Sequence, residues 1–140
     1  ASAAELALLL WSSAGDAESR DLALALYRVL ARKQPNVRAF LRGLGESATA
    51  SSQWEEARDA WGVITAAAPI GTPEWFEARY QTALAISKLD PAAAAALLRQ
   101  HAALYPQWGT EPWATKLRQL SDSIPAPQPA PAPSDGGATP

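Results

Sequence analysis

Gly71-Thr72-Pro73-Glu74-Trp75 and Gly109-Thr110-Glu111-Pro112-Trp113 are two near-copies of one punctuation mark, and their tryptophans lie 38 residues apart. Glycine breaks a preceding helix. A threonine cap, a proline near the first helical position and an acid in the first turn open the next one. Asp90-Pro91 is a shorter version of the same signal. Prolines close the intervening segments at Pro35, Pro69 and Pro106, at intervals of 34 and 37 residues. A helix-turn-helix unit of that period marks a stacked repeat protein.

Working outward, every segment up to about position 124 has a helical pattern. The first runs from about Ser2 to Ser13, and Gly15 stops it. Asp16 caps the second, which carries Leu22, Leu26, Val29 and Leu30 on one stripe, with Ala23 and Tyr27 beside them. Asn36 is placed to cap the third, with Phe40, Leu41 and Leu44 inward. Ser52 and Glu55 have capping-box spacing before the fourth, which bears Trp54, Ala57, Trp61 and Ile64. The fifth extends from Thr72 to about Lys88, and the sixth from Asp90 to about Leu104. The seventh carries Trp113, Leu117, Leu120 and Ile124. Residues 125–140, PAPQPAPAPSDGGATP, contain nothing large and apolar to bury. They read as an extended, polyproline-II-like or disordered tail, a linker or else a ligand for an aromatic surface.

Composition supports the helical reading. The 140 residues are 48% hydrophobic, dominated by alanine, and poor in valine and isoleucine. Twelve basic against fourteen acidic residues give a net charge of -2, without a basic run of the kind that follows a phosphate backbone. Nucleic acid is therefore not an expected partner. The longest apolar stretch, Leu6 to Trp11, is too short to span a bilayer. With no cysteine, a thiolate metal site, a cysteine nucleophile and a disulfide framework are all excluded.

Other chemistry is equally sparse. His101 is the only histidine, with no carboxylate at helical spacing beside it, and reads as a packing or surface residue. The pairs Glu55/Glu56 and Glu74/Glu77 fall in first helical turns, where acids favour the helix dipole, rather than in the contrasting environments that an acid–base pair needs. Ser12, Ser13, Ser51 and Ser52 lie at helix ends, and no nucleophile elbow surrounds any of them. Gly43-Leu44-Gly45 lies inside a helix and lacks the residues of a phosphate loop. The expectation is a protein that is not an enzyme and takes no cofactor or metal.

The spacing of the second helices resembles the tetratricopeptide repeat family. Ala57, Trp61, Ile64 and Pro69 match that family's small, aromatic, apolar and proline positions, and Ala23, Tyr27, Leu30 and Pro35 repeat them. Ala94, Leu98, His101 and Pro106 follow with leucine for the aromatic and histidine for the apolar residue. Leu41, Leu44, Gly45 and Ala48 occupy the packing positions of the middle unit's first helix, and Trp54 stands where the family often has tyrosine. No unit carries the full signature, and the first and third units are longer between their helices than the family's, so a degenerate array is the closest description. The resemblance covers roughly residues 4 to 124. It implies a right-handed superhelical array of about three antiparallel helix hairpins with a C-terminal capping helix, and a protein-binding scaffold or adaptor role. The implied concave groove is lined by Arg38, Arg42, Glu46 and Thr49 from the third helix and by Phe76, Arg79, Tyr80 and Ala83 from the fifth. The alternative for Phe76 and Tyr80 is packing against the neighbouring hairpin. Most of the six tryptophans stand in helical register and read as core, but Trp108, in the turn between Pro106 and Gly109, is a contact candidate. A structural accessory subunit of a larger complex, its tail ordered against a neighbour, is the competing role. The small residues Ala-Ser-Ala-Ala at the start and the alanine/proline-rich tail lean toward an exported, periplasmic-type bacterial protein, with a cytoplasmic one as the alternative.

Overall fold

A computed structural model describes residues 2–12 and 16–125. Seven helices occur among them: α1 (Ala3–Ser12), α2 (Ala17–Lys33), α3 (Arg38–Ala50), α4 (Trp54–Ala67), α5 (Pro73–Leu89), α6 (Pro91–Leu104) and α7 (Trp113–Ser123). The described residues contain no strand. The glycine stop at Gly15 and the tail beyond Pro125 lie outside the described residues.

Each helix packs on its neighbour in sequence, and first helices of successive hairpins also meet, α1 with α3 and α5 with α7. Contacts within hairpins pair early residues with late ones: Trp75 of α5 meets His101 near the end of α6. Contacts between the odd-numbered helices α3 and α5 hold a nearly constant offset, 36 residues for Arg38–Glu74 and 35 for Arg42–Glu77. Odd helices therefore run parallel to one another and antiparallel to even ones. Contacts confined to near neighbours are compatible with a helical repeat.

Several starts follow the sequence. Asp16 accepts from the Ser19 N–H at 2.7 Å, Thr72 from Trp75 at 3.3 Å and Asp90 from Ala93 at 3.2 Å. Three others differ. Val37, not Asn36, holds the cap position of α3, without a side-chain bond. Ser52 adopts φ 56, so the chain turns one residue further and Gln53 takes the cap position of α4. Pro112, rather than Thr110, precedes α7. In each case a local turn moves the helix start past the residue best suited to cap it.

The interior is built from small residues against large ones. Ala23, Ala57 and Ala94 are fully buried on the second helices, and Trp61, Ile64 and Leu98 are buried beside or opposite them. The closest approaches come from glycines on α3. A Cβ at Gly43 would lie 2.2 Å from the Tyr27 ring, and one at Gly45 would lie 2.6 Å from the Trp61 indole nitrogen. The buried stripe of α2 is Ala23, Leu24, Tyr27, Leu30 and Ala31. Leu22 and Val29, which the apolar pattern placed on that stripe, are exposed. On α1 only Ala7 is buried, while Leu8 and Leu9 are 60% and 62% exposed and Leu6 is exposed beside them. Among the described residues no helix is long and apolar enough to cross a membrane.

Candidate functional site

Arg38, Arg42, Glu46 and Thr49 recur at helical spacing and share one stripe of α3. That stripe faces α5. The Arg38 guanidinium reaches Glu74 at 3.1 Å, and Arg42 Nη2 reaches both oxygens of Glu77 at 2.5 and 2.6 Å. Arg42 Nε also lies 3.2 Å from Glu46, and its guanidinium carbon sits 5.4 Å from the Trp61 ring centre. Burial pulls the Arg42 pKa down, but the hydrogen bond and charge of Glu77, with Glu46 and Glu74 behind it, outweigh that and raise it. Burial raises the pKa of Glu46, against the attraction of Arg42. Thr49 turns its hydroxyl back to the Gly45 carbonyl at 2.8 Å. The α3 row thus fastens one hairpin to the next, with its charges already partnered.

The α5 residues divide differently. Phe76, Arg79, Tyr80 and Ala83 also form one stripe, but this stripe faces α6 and α7. Phe76 is 3% exposed and Ala83 is fully buried, so neither is open to a partner. Glu77 points at α3. At about 100° per residue, Arg79 lies on nearly the opposite side of the helix. Its guanidinium carbon is 5.5 Å from the Trp75 ring centre, and burial lowers its pKa, with Tyr105 opposing. Tyr80 is half-buried, tilted against Trp113 at 6.0 Å with Lys116 over its ring, and burial raises its pKa. The physical reason for the inward turn is area: an aromatic beside a fully buried alanine removes more apolar surface from water facing its hairpin than facing a groove.

Trp108 is not a free loop side chain. It is half-buried with φ 72, and its ring stacks 5.7 Å from His101, whose Nε2 lies 3.0 Å from the Trp108 carbonyl. Trp75, Phe76 and Tyr105 complete a cluster of rings around the fully buried His101. Gly109, at φ 120, brings the chain against Phe76, where a Cβ would lie 2.5 Å from the ring. The turn after α6 is therefore part of the third hairpin's core.

The open feature on the face carrying Arg42 and Glu46 lies one hairpin earlier. A groove of about 390 Å³ runs between α1 and α3, lined by Ala4, Leu8 and Trp11 on one wall and by Ala39, Phe40, Arg42, Gly43 and Glu46 on the other, with Tyr27 at its base. Of the residues expected from the sequence to contact a partner, only Arg42 and Glu46 line it. Leu8 and Trp11 carried a detectable signal, since α1 has more large apolar residues than one helix face can bury, whereas Ala39 and Phe40 of α3 carried none that pointed to an open groove. The arrangement offers an apolar trough with one guanidinium–carboxylate pair on its wall. A second hollow, of about 330 Å³, lies between α2 and α4 over α3, with the paired Arg28 and Glu56 at its edge.

Fold and site together define an all-helical array of packed hairpins with an apolar groove between its first two parallel helices. Comparison with protein-family models, with curated proteins and with solved structures finds no match to this chain.

Proposed function

We propose that this chain is a degenerate tetratricopeptide-like array, wound as a right-handed superhelix, that binds a protein partner on its concave side. The observation that carries the reading is the α1–α3 groove: apolar, half-open and bounded by the Arg42–Glu46 pair. Further support comes from the parallel offset of the odd helices and from the Gly43–Tyr27 and Gly45–Trp61 contacts, which place small residues against aromatics at successive interfaces. An extended segment lying in the trough covers Leu8 and Trp11, and its polar backbone has Arg42 and Glu46 within reach.

Ala39→Glu tests this. Ala39 is exposed at the groove wall in the first turn of α3, where an acid favours the helix dipole, so the fold is retained. A partner captured from the native source with the wild-type chain binds the variant about tenfold more weakly, about 1.4 kcal/mol by calorimetry. Equal affinity, with unchanged helicity, rejects the groove as the binding site.

One observation favours a second reading, an accessory subunit of a larger complex. Leu6, Leu8, Leu9 and Leu22 leave the α1–α2 end of the array apolar and exposed, whereas a terminal hairpin that meets only water needs a polar outer face. A broad subunit contact involves Leu9 and Leu22, which lie outside the groove. Substituting both with glutamate then abolishes association, while Ala39→Glu leaves it intact.

A further inference from the structure

We propose that the α1–α2 end of the array binds a second copy of this chain, in a two-fold contact where α2 of one copy lies antiparallel against α2 of the other. This goes beyond the groove reading, because the contact leaves the α1–α3 groove open.

The surface begins with a stripe on α2. At about 100° per residue, Glu18, Leu22, Ala25, Leu26, Val29 and Lys33 fall within a sector about 100° wide. Leu26 packs into the cluster of Ala7, Tyr27 and Leu30, and the others are exposed, Leu22 by 49% and Val29 by 44%. The sector is turned away from the rest of the fold. On the other side of the helix, Leu24 packs into the α3–α4 core and Arg28 pairs with Glu56 of α4. Helix α1 continues the surface. Leu6 and Leu8 stand on opposite flanks of the buried Ala7. Leu8 lines the groove, so Leu6, with the exposed Leu9 beside it, faces outward next to the α2 stripe.

What fits this surface is the surface itself. The stripe is symmetric about the midpoint between Ala25 and Leu26: Leu22 and Val29 are equally far from it, and so are Glu18 and Lys33. A second α2, turned antiparallel about that midpoint, sets Leu22 of each copy against Val29 of the other, and Glu18 of each against Lys33 of the other. Apolar side chains then meet apolar ones and each charge meets its opposite, as a self-complementary two-fold contact requires. Glu18 and Lys33 take part in no ion pair among the described residues, whereas Arg28, Arg38 and Arg42 are all paired within the fold. The far end of the array supplies no alternative. Lys116, Arg118, Gln119, Asp122 and Ser123 are exposed on α7, so a head-to-tail stack sets the leucines against a polar helix.

The test is sedimentation equilibrium of the full chain. The wild type sediments as a species of twice the 14.8 kDa chain mass and dissociates on dilution. Leu22→Glu weakens the dimer about a hundredfold or more, because the two-fold axis places the change in the contact twice, and Val29→Glu does the same. Both sites are exposed, so helicity by circular dichroism is unchanged. Glu18→Lys or Lys33→Glu alone weakens association about fivefold, and the two together restore it, since the pairs re-form with their signs exchanged. Three outcomes overturn the proposal. They are a chain monomeric at every concentration, a dimer that survives both Leu22→Glu and Val29→Glu, and charge substitutions whose effects add instead of cancelling. A monomer leaves the apolar end to a foreign subunit. None of the three bears on the groove, where the affinity of Ala39→Glu for a partner decides.

Discussion

Gly45→Ala reverses the sign of its effect when Trp61 is removed. In the wild-type chain, the new Cβ lies 2.6 Å from Trp61 Nε1 and 2.8 Å from the adjoining ring carbon. Trp61 is 1% exposed, with Arg42 over its ring, so it has little room to yield. Overpacking of that kind costs about 1–3 kcal/mol. The better helix propensity of alanine returns about 0.5–1 kcal/mol, leaving Gly45→Ala destabilising by about 1–2 kcal/mol. Trp61→Ala alone costs about 3–5 kcal/mol through lost burial and the cavity left behind. The lower part of that range is expected, because the buried indole N–H has no hydrogen-bond partner and its removal relieves an unsatisfied donor. In the Trp61→Ala background nothing remains for the Gly45 methyl to strike, so the propensity gain survives and Gly45→Ala stabilises by about 0.5–1 kcal/mol. The coupling is about 2 kcal/mol, well above the few tenths by which independent sites deviate from additivity. Urea unfolding followed by circular dichroism at the helical band measures all four corners of the cycle. A Gly45→Ala effect that is equal in both backgrounds, or stabilising in the wild type, refutes the close α3–α4 approach.

Other consequences follow from the same geometry. Burial, reinforced by Arg79 and opposed by the Trp108 carbonyl, lowers the pKa of His101 below its ordinary value of 6.5. Below that value the unfolded chain binds more protons than the folded one, so this contribution to stability is full above it and is lost as pH falls. The melting temperature therefore drops between about pH 7.5 and 5.5, and His101→Gln flattens that dependence; an identical slope in the variant refutes it. Gly109→Ala, at φ 120 and against Phe76, destabilises by about 1–3 kcal/mol in thermal melts, and a neutral effect contradicts the packing of the α6–α7 turn on α5. Arg38→Ala changes stability by at most about 1 kcal/mol, since its pair with Glu74 is half-exposed. Arg42→Ala costs about 1–3 kcal/mol because it strands Glu77, whose side chain is only 15% exposed; equal effects of the two variants refute the distinction.

Much of the architecture was legible from local signals. Asp16, Thr72 and Asp90 cap helices because a side-chain oxygen next to the first turn bonds a free backbone N–H whatever lies further away. The alternation of breakers and apolar stripes delimited seven helices for the same reason. Ala57, Trp61 and Ile64 announced a buried face, since large apolar residues at helical spacing have one economical place to go. What local signals could not convey was which neighbour each stripe meets. Phe76, Arg79, Tyr80 and Ala83 form a stripe equally suited to a groove or to a hairpin interior, and only the position of α6 and α7 decides for the interior. Trp108 looked like a free turn residue because nothing in PQWG shows that His101 waits seven residues back with its ring parallel.

By itself, then, the sequence determined an all-helical chain, the places where most helices begin and end, and the buried small–aromatic–apolar rows Ala23, Tyr27, Leu30 and Ala57, Trp61, Ile64, but not the whole α2 stripe, on which Leu22 and Val29 proved exposed. The tertiary structure alone decided that Arg38 and Arg42 are spent on Glu74 and Glu77, and that Leu8, Trp11 and Phe40 face one another across an open trough. Those outcomes turn on the spacing of parallel helices more than twenty residues apart in the chain, which no local pattern encodes.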